Sequence, residues 1–130
     1  MNRLENWEKE AIKELREYGQ WKAADDNLHD EAALVEELLK LEQEPRKHKE
    51  LMERHEELKI RYMSIRIRVQ RLERALSSLL PRERFVLENL YIRGKTPEET
   101  QEDCCCEKTM LYNVRKKALA GLIRALYGID

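Results

Sequence analysis

The chain has 130 residues, a formal net charge of −1, and 39% charged against 6% aromatic residues. That length suits one domain, or one small domain with a helical extension, and four Gly with three Pro leave few places to break a helix. The composition predicts an all-α protein with long solvated faces, and no apolar run is long enough to span a membrane.

The charge is unevenly spread. Residues 1–45 carry six Lys/Arg and thirteen Asp/Glu, residues 46–80 ten and five, and residues 81–130 nine and eight. An acidic head thus precedes a basic middle and a mixed tail, and this asymmetry says more about partners than the total does. Met1-Asn2-Arg3-Leu4-Glu5 lacks the apolar stretch of a signal peptide. With no pattern of paired cysteines, the expected compartment is the cytoplasm.

In the head, Leu4, Trp7, Ala11, Leu15 and Tyr18 recur at helical spacing, and Gly19 is the expected stop. Asp25-Asp26-Asn27 favours a turn. Asp30 then caps a helix carrying Leu34, Val35, Leu38 and Leu41, which Pro45 ends or bends. The middle is the most regular stretch. Leu51, His55, Leu58, Tyr62, Ile65, Val69, Leu72, Leu76 and Leu79 alternate steps of four and three, the seam of a coiled coil over 46–79. Such a helix needs a partner. Either the acidic head folds back on it, which the opposite charges favour, or a second copy pairs with it as a homodimer. His55 on the seam reads as a tolerated polar residue, and Arg61, Arg66, Arg68, Arg71 and Arg74 as a solvated face or the partners of acidic helices.

Residues 1–79 are therefore expected to form one helical region and residues 80–130 a second domain. Pro81 opens a helix with Phe85, Val86, Leu87, Leu90 and Tyr91, and Gly94 stops it. Thr96-Pro97-Glu98-Glu99 is a capping box, a strong start signal for a short helix that ends near Cys104. After a turn at Cys105 to Glu107, a last helix runs from Lys108 to Leu126, with Gly128 closing it. From Lys108 to Arg124 it carries five basic residues and no acid. Leu111, Val114, Ala118 and Leu122 form its apolar stripe. This polarity predicts a helix-turn-helix whose second helix enters the major groove of double-stranded DNA. Lys108, Thr109, Tyr112, Asn113, Lys116 and Lys117 are the candidate contacts. Asn pairs with adenine, and Lys reaches guanine acceptors or phosphates.

These residues also resemble a family. Leu80-Pro81-Arg82-Glu83-Arg84 through Leu90-Tyr91, Gly94, Thr96-Pro97-Glu98-Glu99, and Thr109 through Leu119 look like region four of bacterial sigma factors. The layout as a whole is similar to phage and prophage late transcription regulators of the RinA and ArpU kind. The resemblance implies promoter binding and contact with RNA polymerase, but not a full sigma factor, since there is no room for the part that melts the promoter. Four positions depart from the pattern. Thr100 and Gln101 replace an apolar residue and Ala, Cys105 stands where the turn usually has Gly, and Glu107 replaces a Ser or Thr cap. Those departures keep open a polymerase- or sigma-binding protein with little DNA reading. A small-terminase-like packaging adaptor fits less well, because its helix-turn-helix normally comes first.

Cys104, Cys105 and Cys106 diverge too much from one another for a zinc site and read as turn residues. No catalytic constellation, metal-ligand spacing or phosphate-binding glycine loop occurs, so neither enzymatic activity nor a cofactor is expected.

Overall fold

The computed structural model describes residues 3–130, and every regular element in it is helical. Helix α1 spans Arg3–Leu41, α2 Pro45–Ser77, α3 Pro81–Leu87, α4 Pro97–Cys104 and α5 Lys108–Tyr127, and a π-helical turn, Glu88–Ile92, extends α3. The chain divides into two compact units, one of Met1–Gly19 with Gln70–Asp130 and one of Gln20–Val69.

The expected stop at Gly19 does not occur. Gly19 and Asp25-Asp26-Asn27 all lie inside α1. A local turn preference is outweighed here by tertiary partners. Asp25 is buried, and its Oδ2 accepts from Arg66 at 2.8 Å, a partner no local sequence window contains.

In the unit of residues 20–69, α1 and α2 run antiparallel. Low α1 numbers meet high α2 numbers: Trp21 lies under the Arg68 guanidinium at 4.3 Å, His29 faces Tyr62 at 5.7 Å, and His55 Nε2 lies 3.0 Å from Glu36. Glu31 pairs with Arg54. The expected α2 seam is the side that is covered, with Leu58 and Val69 buried and Leu51, His55, Tyr62 and Ile65 half-buried. The matching α1 side is Trp21, Asp25, Leu28, Ala32, Val35 and Leu39, again at steps of four and three. Leu34, Leu38 and Leu41 are exposed. Asp25 Oδ1 has no hydrogen-bond partner among the described residues. A buried ion pair of this kind adds little net stability but disfavours shifted registers, which would strand the charge.

The other unit joins both ends of the described chain. Its core holds Ala11 and Leu15 from α1, Leu72, Ala75 and Leu76 from α2, Leu87 from α3, and Ala118, Leu119, Leu122, Ile123 and Leu126 from α5. Trp7 stacks on Tyr127 with ring centroids 4.7 Å apart. Polar clamps surround this core. Tyr18 donates to Glu73 at 3.0 Å, Tyr127 donates to Glu14, and Arg71 bridges Glu14 at 2.7 Å and the Leu126 carbonyl at 3.2 Å. Each fully buried Leu contributes about 1.5–3 kcal/mol, so the α1 side chains are a substantial part of what holds α5.

Candidate nucleic-acid interface

The surface of interest is built by three short elements. Helix α3 begins at Pro81, where the Leu80 N–H donates to Glu83 at 3.2 Å. Its π-helical turn inserts an extra residue, which rotates the helix phase and turns Asn89 inward. Asn89 is 1% exposed and fully engaged: it donates to Asp103 at 2.9 Å, and its side-chain oxygen accepts from Arg93 at 2.8 Å. Its carbonyl accepts from the Lys95 N–H at 2.9 Å, and Lys95 Nζ reaches Asp103 at 2.7 Å. This knot fixes α4 against α3. Lys95 and then Asn89, both bonded to Asp103, hold its carboxyl below the ordinary carboxylate range.

Helix α4 starts with the expected capping box. Glu99 N–H donates to Thr96 Oγ1 and Thr96 N–H donates to Glu99, both at 3.1 Å. The Thr96 backbone N–H, and then the Thr96 side chain, likewise hold the Glu99 carboxyl below its usual range. Thr100 fits a fully buried position because its hydroxyl donates to the Thr96 carbonyl at 2.9 Å. Gln101 is half-buried at the helix end, where its carbonyl accepts from Cys106 N–H at 3.1 Å, while Cys105 N–H donates to the Glu102 carbonyl at 3.2 Å. These two bonds make a Schellman ending. It requires a left-handed residue, and Cys105 takes that role at φ 52° and ψ 45°. Cys105 is exposed, and Cys104 and Cys106 are half-buried. Burial pushes the Cys104 thiol up.

Glu107 then stands extended before α5 at φ −82° and ψ 163°, with no side-chain cap bond. Leu111, Ala118, Leu119 and Leu122 of α5 are buried, which fixes its roll. The six candidate residues Lys108, Thr109, Tyr112, Asn113, Lys116 and Lys117 are all exposed. Thr109, Asn113 and Lys116 share one face at steps of four and three, with Lys117 beside Asn113. Lys108 and Tyr112 lie along its edge, one turn apart. Among the described residues, none of the six side chains takes part in a hydrogen bond or ion pair. The outer side of α5 therefore offers three unneutralised ammonium groups, an amide and two hydroxyls to solvent.

Residues outside the expected set also border this surface. Arg82 of α3 reaches Met110 Sδ at 3.3 Å and so stands beside the first turn of α5. Arg124 lies two turns beyond Lys117 and is tied to Asp130 at 2.8 Å. Arg115 faces away toward Tyr91, to whose hydroxyl its Nε donates at 2.6 Å. The Pro-Arg-Glu-Arg opening made Arg82 visible as a motif residue, but nothing local showed which element it would meet.

No described helix is long and apolar enough to cross a membrane. The chain matches no protein-family model, no curated protein and no solved structure.

Proposed function

We propose that the protein is a DNA-binding transcription regulator of phage or prophage type. Helices α4 and α5 act as a helix-turn-helix, and the outer side of α5 reads promoter DNA from the major groove. The observation that carries this reading is the set of six exposed, unpartnered polar and basic side chains on one helix, set behind a capped short helix and a three-residue turn. Asn113 and Lys116 contact base edges, while Lys108, Lys117 and the Thr109 and Tyr112 hydroxyls hold the backbone. No metal or cofactor is needed for such binding, and no catalysis is involved. Met52, Ile60, Met63 and Ile67 on α2 are each more than half exposed and fit pairing of two copies through the central helix. The setting for this activity is the cytoplasm of a bacterial host.

The test is duplex binding at a series of salt concentrations. Asn113→Ala with Lys116→Ala is expected to cost about 1–3 kcal/mol per base contact and to relax discrimination between sequences, whereas Lys117→Ala is expected to flatten the salt dependence by about one phosphate contact. Unchanged binding would rule out α5 as the reading helix. A second reading is favoured by the exposed Glu98, Glu102 and Glu107, which carry no cation partner among the described residues and would repel a close DNA strand. In that reading the protein docks RNA polymerase or a sigma factor and reads little DNA. Capture of purified polymerase by a protein with no duplex affinity would favour it.

A further inference from the structure

A second basic surface lies in the same compact unit. Lys9, Lys13 and Arg16 follow one another at steps of four and three, so they stand in one exposed row on α1. None of the three is in an ion pair among the described residues, although the same helix is rich in glutamate. Arg115 of α5 reaches the same place. The Arg16 and Arg115 guanidinium groups lie 5.7 and 5.8 Å from the centre of the Tyr91 ring, and Arg115 Nε is fixed on the Tyr91 hydroxyl. Together they line a cleft of about 540 Å³ that contains one carboxylate, Glu17.

Four cations lie around the one acid of the cleft, and an anion entering it is attracted by all four. Two of the four are guanidinium forks, whose planar donors match phosphate oxygens. Arg115 lines the cleft and stands on α5 beside the Lys108–Tyr112 edge of the proposed reading surface. Arg115 is three residues from Tyr112 and seven from Lys108, so these side chains follow one line along α5. We propose that this cleft is a second phosphate-binding surface, in which Lys9, Lys13, Arg16 and Arg115 hold the backbone of the DNA strand that passes the Lys108–Tyr112 edge of α5. The proposal rests on the reading of α5 as the DNA-contacting helix. It makes α1, the most acidic part of the chain by composition, a contributor to DNA affinity.

The test uses the full chain and a mixed-sequence duplex, followed by fluorescence anisotropy across a salt series. Lys9→Gln, Lys13→Gln and Arg16→Gln are combined in one variant. All three positions are exposed, so the melting temperature checks that the fold is retained. Loss of three phosphate contacts is expected to reduce the slope of log K against log salt by about 2 to 3 and to weaken binding about tenfold or more at low salt. Lys117→Gln, at an exposed position proposed to hold the backbone, serves as the control on α5, with an expected slope change of about 1. If the control lowers the slope and the triple variant does not, the cleft assignment is overturned and the reading of α5 stands. If the unaltered protein shows no duplex affinity, the reading of α5 fails and takes the cleft with it. If the triple variant keeps its DNA slope but loses affinity for a polyglutamate peptide or for inorganic tripolyphosphate, the cleft serves another anion and the proposal is wrong.

Discussion

Cys105 adopts the one left-handed backbone among the described non-glycine residues. A side chain in that region crowds its own carbonyl, at a cost of about 1 kcal/mol or somewhat more. Cys105→Gly is therefore expected to stabilise the protein by about 1 kcal/mol, and Cys105→Val to destabilise it. Urea unfolding of the two variants checks this, and a Gly variant no more stable than the parent would mean the turn is strained elsewhere. The sequence already marked this position as unusual, because Cys stands where a turn wants Gly. Asn89 shows the opposite case. Leu90 and Tyr91 are the apolar residues there and look like core, yet Asn89 is buried and both of them are half-buried. The π-helical turn advances the chain by one residue, and nothing in Glu88-Asn89-Leu90-Tyr91-Ile92 announces it. The side-chain amide's partners are Arg93, four residues on, and Asp103, fourteen residues on, while the Lys95 N–H bonds the Asn89 backbone carbonyl.

At the level of elements, α1 is the instructive helix. A β-carbon added at Gly19 would meet nothing within 4 Å, and the residue sits in helical conformation. Gly19→Ala is expected to add about 0.5–1 kcal/mol, read as a higher melting temperature. A loss of stability would show that α1 is not continuous at that point. The α1 contacts also have a pH signature. Burial first, and then the hydrogen bond to Glu73, push the Tyr18 hydroxyl from its ordinary 10.0 up to about 12. Tyr127 is raised in the same direction by burial and by its bond to Glu14. A raised folded pKa means that the neutral phenol is favoured in the folded state. Its contribution is complete below pH 10 and is lost as pH climbs through about 12. Unfolding free energy is thus expected to fall over that window, and Tyr18→Phe to flatten the decline. Helix α5 and the capping box of α4 were legible because periodicity and capping are local properties. The inner side of α1 was not, because Asp25 interrupts its apolar pattern and only Arg66 of α2 explains it.

For the molecule as a whole, the compact unit containing α5 draws on residues far apart in sequence. Ala11 and Leu15 are fully buried against α5, and Leu72, Ala75 and Leu76 complete the same core. A fragment of residues 80–130 would expose Leu87, Leu119, Leu122 and Leu126 to water. That fragment is expected to be unfolded or aggregated, whereas the intact chain is folded. A dispersed amide spectrum from the fragment would contradict this. The sequence suggested a boundary near residue 80, because a coiled-coil seam ends there and a proline starts a new pattern. What it lacked was any sign that the first helical turns pack against the last helix, since Trp7 and Tyr127 each look like ordinary amphipathic positions. That long-range closure also has a consequence in time. A ribosome adding roughly 5–20 residues per second makes Tyr127 about 6–25 s after Trp7. Until α5 is made, Ala11 and Leu15 have only Leu72, Ala75 and Leu76 of α2, and then Leu87 of α3, as partners in that core. A prematurely terminated transcript or a stalled ribosome would yield a helical stub in which the side of α1 that α5 covers stays open to water.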